Sequence, residues 1–213
     1  MNEKHSAEEE VKADICKTMG ALYRRNLICS TGGNVSARMP GTEEFWITPS
    51  GIFKGELSSS DVVKVDLEGG IIEGNKKPSI EVPMHRAIYK KRLDVNAIVH
   101  AHNPVTVGLA SVGMEIQSIT VDVAFVLKKV PIVPFALPGT EDLANAVVEH
   151  IVGSKALILK SHGVVGVGSN LLEAKAAVEK LEEVSIAQSV AYHFGKPRPI
   201  PKKYIERAKK LYE

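Results

Sequence analysis

Two periods of apolar spacing divide this chain into its elements. In residues 6–27, "SAEEEVKADICKTMGALYRRNL", Val11, Ile15, Met19 and Leu22 recur at helical spacing. This predicts an amphipathic helix, with Ser6 as its cap and acidic residues in its first turn. A glycine pair in "ICSTGGNVSARMP" marks a loop, and "NVSAR" reads as a short strand. Residues 44–52, "EFWITPSGI", form a second strand that runs into a polar turn. Residues 62–75 read as strand, Gly-Gly turn and strand. Residues 79–92, "SIEVPMHRAIYKKR", predict a helix with Ser79 as cap and Pro83 in its first turns.

The pattern continues with a strand in "VNAIVHAHNP" and a helix in "PVTVGLASVG". The strand in "KKVPIVPFA" carries Pro131 and Pro134, which excludes a fully paired central position. Thr140 caps a helix that Gly153 closes. "KALILKSHGVVGVG" gives strand, turn and strand, and residues 170–195 give the longest helix. The tail breaks at "KPRPIP" before a last short helix. Neither a repeat nor a linker interrupts this order. Residues 1–213 are therefore expected to form one α/β domain, with a mostly antiparallel sheet between helices.

Composition narrows the function. The chain has 213 residues, 44% hydrophobic and 24% charged, with a net charge of +2. No strong field points to nucleic acid or to an anionic membrane, and the basic tail reads as a solvated helix end. Cys16 and Cys29 form no C-x-x-C and suit a reducing compartment. A polar N-terminus and the lack of a long apolar run predict a cytoplasmic protein.

The candidate chemistry begins with "AIVHAHNP". Residues two apart on a strand share a face, so His100 and His102 aim their imidazoles together, at a distance one metal ion can bridge. The alternative is two polar residues on a solvent-facing side. His162 stands at a strand-to-turn corner, a place for a third ligand or for an ordinary turn histidine. Three histidines would leave open positions for substrate, and a nearby carboxylate would carry the proton. Glu81 opens a helix, and His85 follows one turn later as ligand, packing residue or cap. "STGGNVS", "TPSG" and "KPSI" are small, polar loops able to turn backbone N–H groups toward one anion, or three plain turns. There is no Walker-type loop, no complete dinucleotide fingerprint, no H-E-x-x-H and no G-x-S-x-G.

These segments, in the order "GGNVSAR", "ITPSG", "KPSIEVPMHRAIY", "AIVHAHNP", "LPGTEDLA" and "LKSHGVVGVG", resemble the class II aldolase family from about Glu9 to His193. The resemblance implies a three-layer αβα fold around a nine-stranded, mainly antiparallel sheet. It implies that His100, His102 and His162 bind one divalent metal per subunit, most often zinc, with manganese or cobalt accepted by the same imidazoles. Glu81 matches the family's catalytic acid/base. Thr31, Gly33, Asn34, Ser50, Gly51, Ser79 and Ile80 match the segments that hold the substrate phosphate, Ile80 standing where a second hydroxyl is common. The implied reaction is reversible cleavage of a ketose 1-phosphate to dihydroxyacetone phosphate and a small aldehyde through a metal-stabilised enediolate. L-Ribulose-5-phosphate 4-epimerase chemistry, a related dehydration or decarboxylation, and a non-catalytic module like the adducin head are the alternatives. Asp122, Tyr204 and Tyr212 are candidates for a further acid/base. The family also implies a homotetramer with active sites at subunit interfaces, a small phosphorylated sugar as substrate, and no nucleic-acid or membrane partner.

Overall fold

The computed structural model describes residues 3–212 of the chain, with side chains over residues 5–207. Helix α1 (Glu3–Arg24) leads into strands β1 (Asn34–Ala37), β2 (Glu44–Ile47), β3 (Val63–Asp66) and β4 (Ile71–Glu73). Helix α2 (Val82–Lys91), strand β5 (Ala97–Ala101) and helix α3 (Pro104–Ser111) follow. A wide π-helical turn at Asp122–Leu127 precedes β6 (Ile132–Val133), α4 (Glu141–Ile151), β7 (Ala156–Leu159), β8 (Gly163–Gly168), α5 (Leu171–Phe194) and α6 (Lys202–Tyr212). Among the described residues, no helix is long and apolar enough to cross a membrane.

The eight strands form one sheet in the order β4-β3-β2-β1-β5-β8-β7-β6. Every pair is antiparallel except β6 with β7. This corrects the expected nine strands. The loops at Thr48–Ser50 and Lys77–Ser79 exchange two ladder-like bonds, Ser50 N–H to Lys77 O at 2.8 Å and Ser79 N–H to Thr48 O at 3.2 Å. They meet in a single bridge between Pro49 and Pro78, and neither proline has an N–H with which to extend the ladder. Proline also explains the edge: β6 is two residues long, between Pro131 and Pro134.

Side-chain alternation splits the core between the two faces of the sheet. Ala97, Val99 and Ala101 of β5 join Ile15, Met19 and Leu22 of α1 and Val178 and Leu181 of α5 on one side. Ile98 joins Ile88 and Tyr89 of α2 and Leu143, Val147 and Ile151 of α4 on the other. Each fully buried Ile, Leu or Met contributes roughly 1.5–3 kcal/mol by leaving water. Gly166 brings α5 close to the sheet, because a Cβ there would lie 2.8 Å from Val178 Cγ2.

The caps are mixed. Thr140 accepts the Leu143 N–H at 3.3 Å and Asn170 accepts the Glu173 N–H at 3.0 Å, the first as predicted. Ser6 lies inside α1, which already runs from Glu3. Ser79 stands two residues ahead of the cap position of α2, which Glu81 occupies.

Candidate active site

Helix α2 and strand β1 are the spine of the site. Glu81, His85 and Tyr89 recur every four residues and share one face of the helix end. Asn34, Ser36 and Arg38 recur every two residues and share one face of the strand. Four helical residues advance about 6 Å and two strand residues about 6.7 Å, so the two rows keep step. Asn34 Nδ2 donates to Glu81 Oε2 at 2.8 Å, and its Oδ1 lies 2.5 Å from His85 Nε2. His85 Nδ1 lies 2.7 Å from Ser36 Oγ, which lies 2.8 Å from the Tyr89 hydroxyl. Arg38 closes the row, with its guanidinium over the Tyr89 ring at 4.7 Å and Nε donating to Val95 O at 3.0 Å.

A carboxylate oxygen only accepts, so the whole row has one direction. The Asn34 amide nitrogen must face Glu81, and its oxygen then accepts from His85 Nε2–H. His85 Nδ1 is thereby the acceptor of the Ser36 hydroxyl, which accepts from Tyr89 in turn. Burial pushes His85 down to about 3, with His100 adding to the effect, so the ring stays neutral with its proton on Nε2. Burial pushes the Tyr89 phenol up, against the pull of Ser36 and Arg38. His85 therefore belongs to the buried scaffold behind Glu81 and stands outside the histidine cluster.

Strand register brings the next group in. His100 of β5 sits opposite Asn34 of β1 and Val165 of β8. His102 follows just past the end of β5, held by its N–H to Leu27 O at 2.8 Å. His162 sits in the β7–β8 turn after Ser161, whose φ of 58° makes the sharp corner. The three ring centroids are 4.7 to 5.7 Å apart. One nitrogen from each ring falls within 4.8 Å of the others, so the three could hold a metal ion.

The donor chemistry fits a divalent metal. His100 Nδ1 donates to Val164 O at 2.9 Å, which leaves Nε2 as a lone pair with no hydrogen-bond partner among the described residues. Burial lowers His100 and His102 to about 4 and depresses His162 as well. The Val164 carbonyl opposes the shift at His100, and His100 and Glu81 push in opposite directions at the other two. All three are neutral near pH 7, the form that ligates a metal. Glu81 Oε2 lies 3.1 Å from His100 Nε2, and Glu81 Oε1 lies 3.5 Å from His162 Nε2 with no hydrogen-bond partner among the described residues.

In front of these groups lies a cleft of about 180 Å³. The structure brings Thr31, Gly33, Asn34, Ser50, Ser79, Ile80, Glu81, His102 and His162 to its wall, with Gly51 beside Ser50 and His100 buried behind. Gly33 is required there: its φ is 68°, and a Cβ would lie 2.5 Å from Ile28 Cγ2. Asp122 does not line the cleft; it opens the π-helical turn and pairs with Lys180 of α5. Tyr204 is half exposed on α6, away from the cleft, and the side chain of Tyr212 lies outside the described residues.

Lys54 also lines the cleft, beside loops whose sequence promises only backbone N–H, hydroxyl and amide groups. It is 2% exposed, its Nζ donates to Pro49 O, and burial alone pushes it down to about 8. The signal in the sequence is a lysine three residues after "TPSG", just beyond the polar turn predicted at residues 44–52.

The sequence pattern of the family described as Class II Aldolase and Adducin N-terminal domain matches residues 13–188. The chain belongs to this family. A 5-deoxy-D-ribulose 1-phosphate aldolase of Bacillus thuringiensis serovar kurstaki is 34% identical over 199 residues, covering 90% of this chain and 92% of that protein. A 3-oxo-tetronate 4-phosphate decarboxylase of Haemophilus influenzae is 32% identical over 170 residues, covering 78% and 80%. The solved structure of an L-fuculose 1-phosphate aldolase superposes with a TM-score of 0.89 at 33% identity, covering 96% of this chain and 97% of that one. The family's aldolases are lyases that use a divalent metal, and the names of these relatives point to phosphorylated sugars.

Proposed function

We propose that this protein is a metal-dependent aldolase that cleaves a ketose 1-phosphate, of the fuculose or deoxyribulose type, to dihydroxyacetone phosphate and a small aldehyde. The observation that carries this reading is the position of Glu81. Its Oε1, without a hydrogen-bond partner among the described residues, faces His162, its Oε2 lies against His100, and the hydroxyl and amide loops line the same cleft. His100, His102 and His162 would hold the ion, zinc first and manganese or cobalt by the same donors. Bound there, the ion would supply Lewis-acid polarisation of the ketose carbonyl.

The chain's own residues supply the rest. Glu81 would deliver a proton to the carbon released when the carbon–carbon bond breaks, and remove it in the condensation direction. Asn34 holds Oε2 of Glu81 and so points Oε1 at the substrate. Thr31, Gly33, Asn34, Ser50, Gly51, Ser79 and the Ile80 backbone would bind the phosphate away from the reacting bond, which keeps the substrate in register. The aldehyde half finds no acid/base partner in the cleft of one chain. Exposed Phe135 and Leu137, next to cleft-lining Pro138, support a homotetramer in which a neighbouring subunit covers that rim. In such an assembly Asp122, Tyr204 or Tyr212 would serve that half.

A second reading is decarboxylation of a 3-oxo acid phosphate, favoured by the decarboxylase relative. Carbon dioxide would leave in place of the aldehyde, and Glu81 would protonate the same kind of carbon.

Turnover of metal-loaded protein on fuculose 1-phosphate, rhamnulose 1-phosphate, 5-deoxyribulose 1-phosphate and ribulose 5-phosphate tests the choice. The expected result is dihydroxyacetone phosphate that disappears in Glu81→Gln and in chelated samples. Xylulose 5-phosphate from the last substrate would move the assignment to epimerase. Silence on all four, with release of carbon dioxide from a 3-oxo acid phosphate, would move it to decarboxylase.

A further inference from the structure

We propose that Lys54 is the cation of the phosphate end of the cleft, a direct ligand of the substrate's phosphate. This rests on the reading of the cleft as a sugar-phosphate site and names the charge that site would use. Lys54 joins two of the three loops directly. Its backbone N–H donates to Ser30 O at 2.8 Å in the first loop, and its Nζ donates to Pro49 O in the second. The second and third are tied by the Pro49–Pro78 bridge. Lys54 thus lines the same cleft as Thr31, Gly33, Ser50 and Ser79.

The electrostatics call for an anion. A buried ammonium is costly unless it is paired and fully hydrogen-bonded. Lys54 is 2% exposed, and no carboxylate lies within ion-pairing distance of it among the described residues. A single carbonyl satisfies one of its three donors. The remaining donors and the uncompensated charge lie in a cleft whose other phosphate-end groups are hydroxyls, an amide and backbone N–H groups. A phosphate dianion completes that set. A neutral sugar does not.

The test compares metal-loaded wild type with Lys54→Met, an unbranched apolar side chain of similar length. In phosphate-free buffer the variant is expected to melt at or above the wild-type temperature, because a buried charge has been removed. Inorganic phosphate should raise the melting temperature of the wild type well above any rise in the variant at the same concentration. Calorimetric titration should show dihydroxyacetone phosphate binding weakened by about tenfold or more, as expected for a buried charge contact. Unphosphorylated dihydroxyacetone should bind both proteins alike.

Equal affinity for inorganic phosphate in the two proteins would overturn the assignment and leave Lys54 as a tie between loops. Should the variant fail to fold, selective ¹³Cε labelling of the lysines in the wild type gives the same answer. The Lys54 resonance should move when phosphate is added, and a resonance that stays still while phosphate binds refutes the contact. A wild type that binds phosphate through Lys54 yet turns over no ketose phosphate overturns the reaction and leaves Lys54 in place. Binding of neither phosphate nor dihydroxyacetone phosphate overturns both.

Discussion

Replacing His85 with leucine should damage stability and turnover together, although the residue never reaches the cleft. The imidazole makes two buried hydrogen bonds, to Asn34 Oδ1 at 2.5 Å and Ser36 Oγ at 2.7 Å. Leucine has a similar volume, so the loss is polar and leaves no large cavity. Asn34 Oδ1 is left buried without a donor, at about 1–3 kcal/mol. Ser36 still accepts from Tyr89 and loses only the acceptor of its own hydrogen, which limits its share to about 1 kcal/mol. The sum is about 2–4 kcal/mol, measured as a drop in urea-unfolding free energy of the metal-free protein at fixed concentration. Turnover should fall about 10- to 100-fold, because the amide that holds Glu81 is no longer pinned in one orientation. Tyr89→Phe alone should cost about 1 kcal/mol and leave the ring contacts intact. Together the two changes should cost about 1 kcal/mol more than their sum, since Ser36 then loses both partners. A His85→Leu protein within about 1 kcal/mol and twofold in turnover of the wild type, with additive effects, would refute the directed row.

Gly32→Ala should weaken metal binding by about tenfold or more while leaving the fold intact, because its Cβ would lie 2.7 Å from His102 Cε1; calorimetry with zinc checks it. Stability of the metal-free protein should fall as the pH drops from 6.5 to about 4. The unfolded chain takes up protons there that the buried folded His100, held at about 4, refuses. A urea midpoint unchanged between pH 7.5 and 5 would contradict this. At pH 8 a thiol reagent should label exposed Cys29 first, and Cys16 at least about tenfold more slowly, since burial raises its thiol to about 11; peptide mapping over time reads the order.

Most of the fold was legible because period and punctuation are local properties. Val11, Ile15, Met19 and Leu22 announced α1, and Thr140 and Gly153 bracketed α4. The errors fell where a boundary depends on the tertiary setting. Ser6 has the chemistry of a cap, yet the helix continues through it. Ser79 has it too, but its hydroxyl accepts the Glu81 N–H at 3.2 Å and leaves the cap position to a carboxylate. The histidine cluster was legible in part, since H-x-H on a strand fixes two rings by local geometry. The third ring meets them only through the pairing of β5 with β8, which no local signal encodes. Lys54 was missed for the same kind of reason. An isolated lysine in a turn looks solvated until three loops close over it.

The two halves of the cleft reach readiness by opposite routes. Behind Glu81, every donor from Tyr89 to Asn34 points one way, so the carboxylate is held in the orientation it uses before any ligand arrives. At the loop end the charge of Lys54 is left uncompensated, so that part of the site is incomplete by itself. A preset proton carrier avoids reorganisation during the reaction, and an unmet charge makes binding depend on the anion. On the proposed function, the helix–strand row that keeps Glu81 in step with Asn34 would serve the reacting bond, and the loops would serve the remote group. Substitutions along α2 and β1 should fall on turnover, and substitutions in the loops on substrate affinity. That division follows from one geometric fact, the matched advance of four helical residues and two strand residues along a shared face.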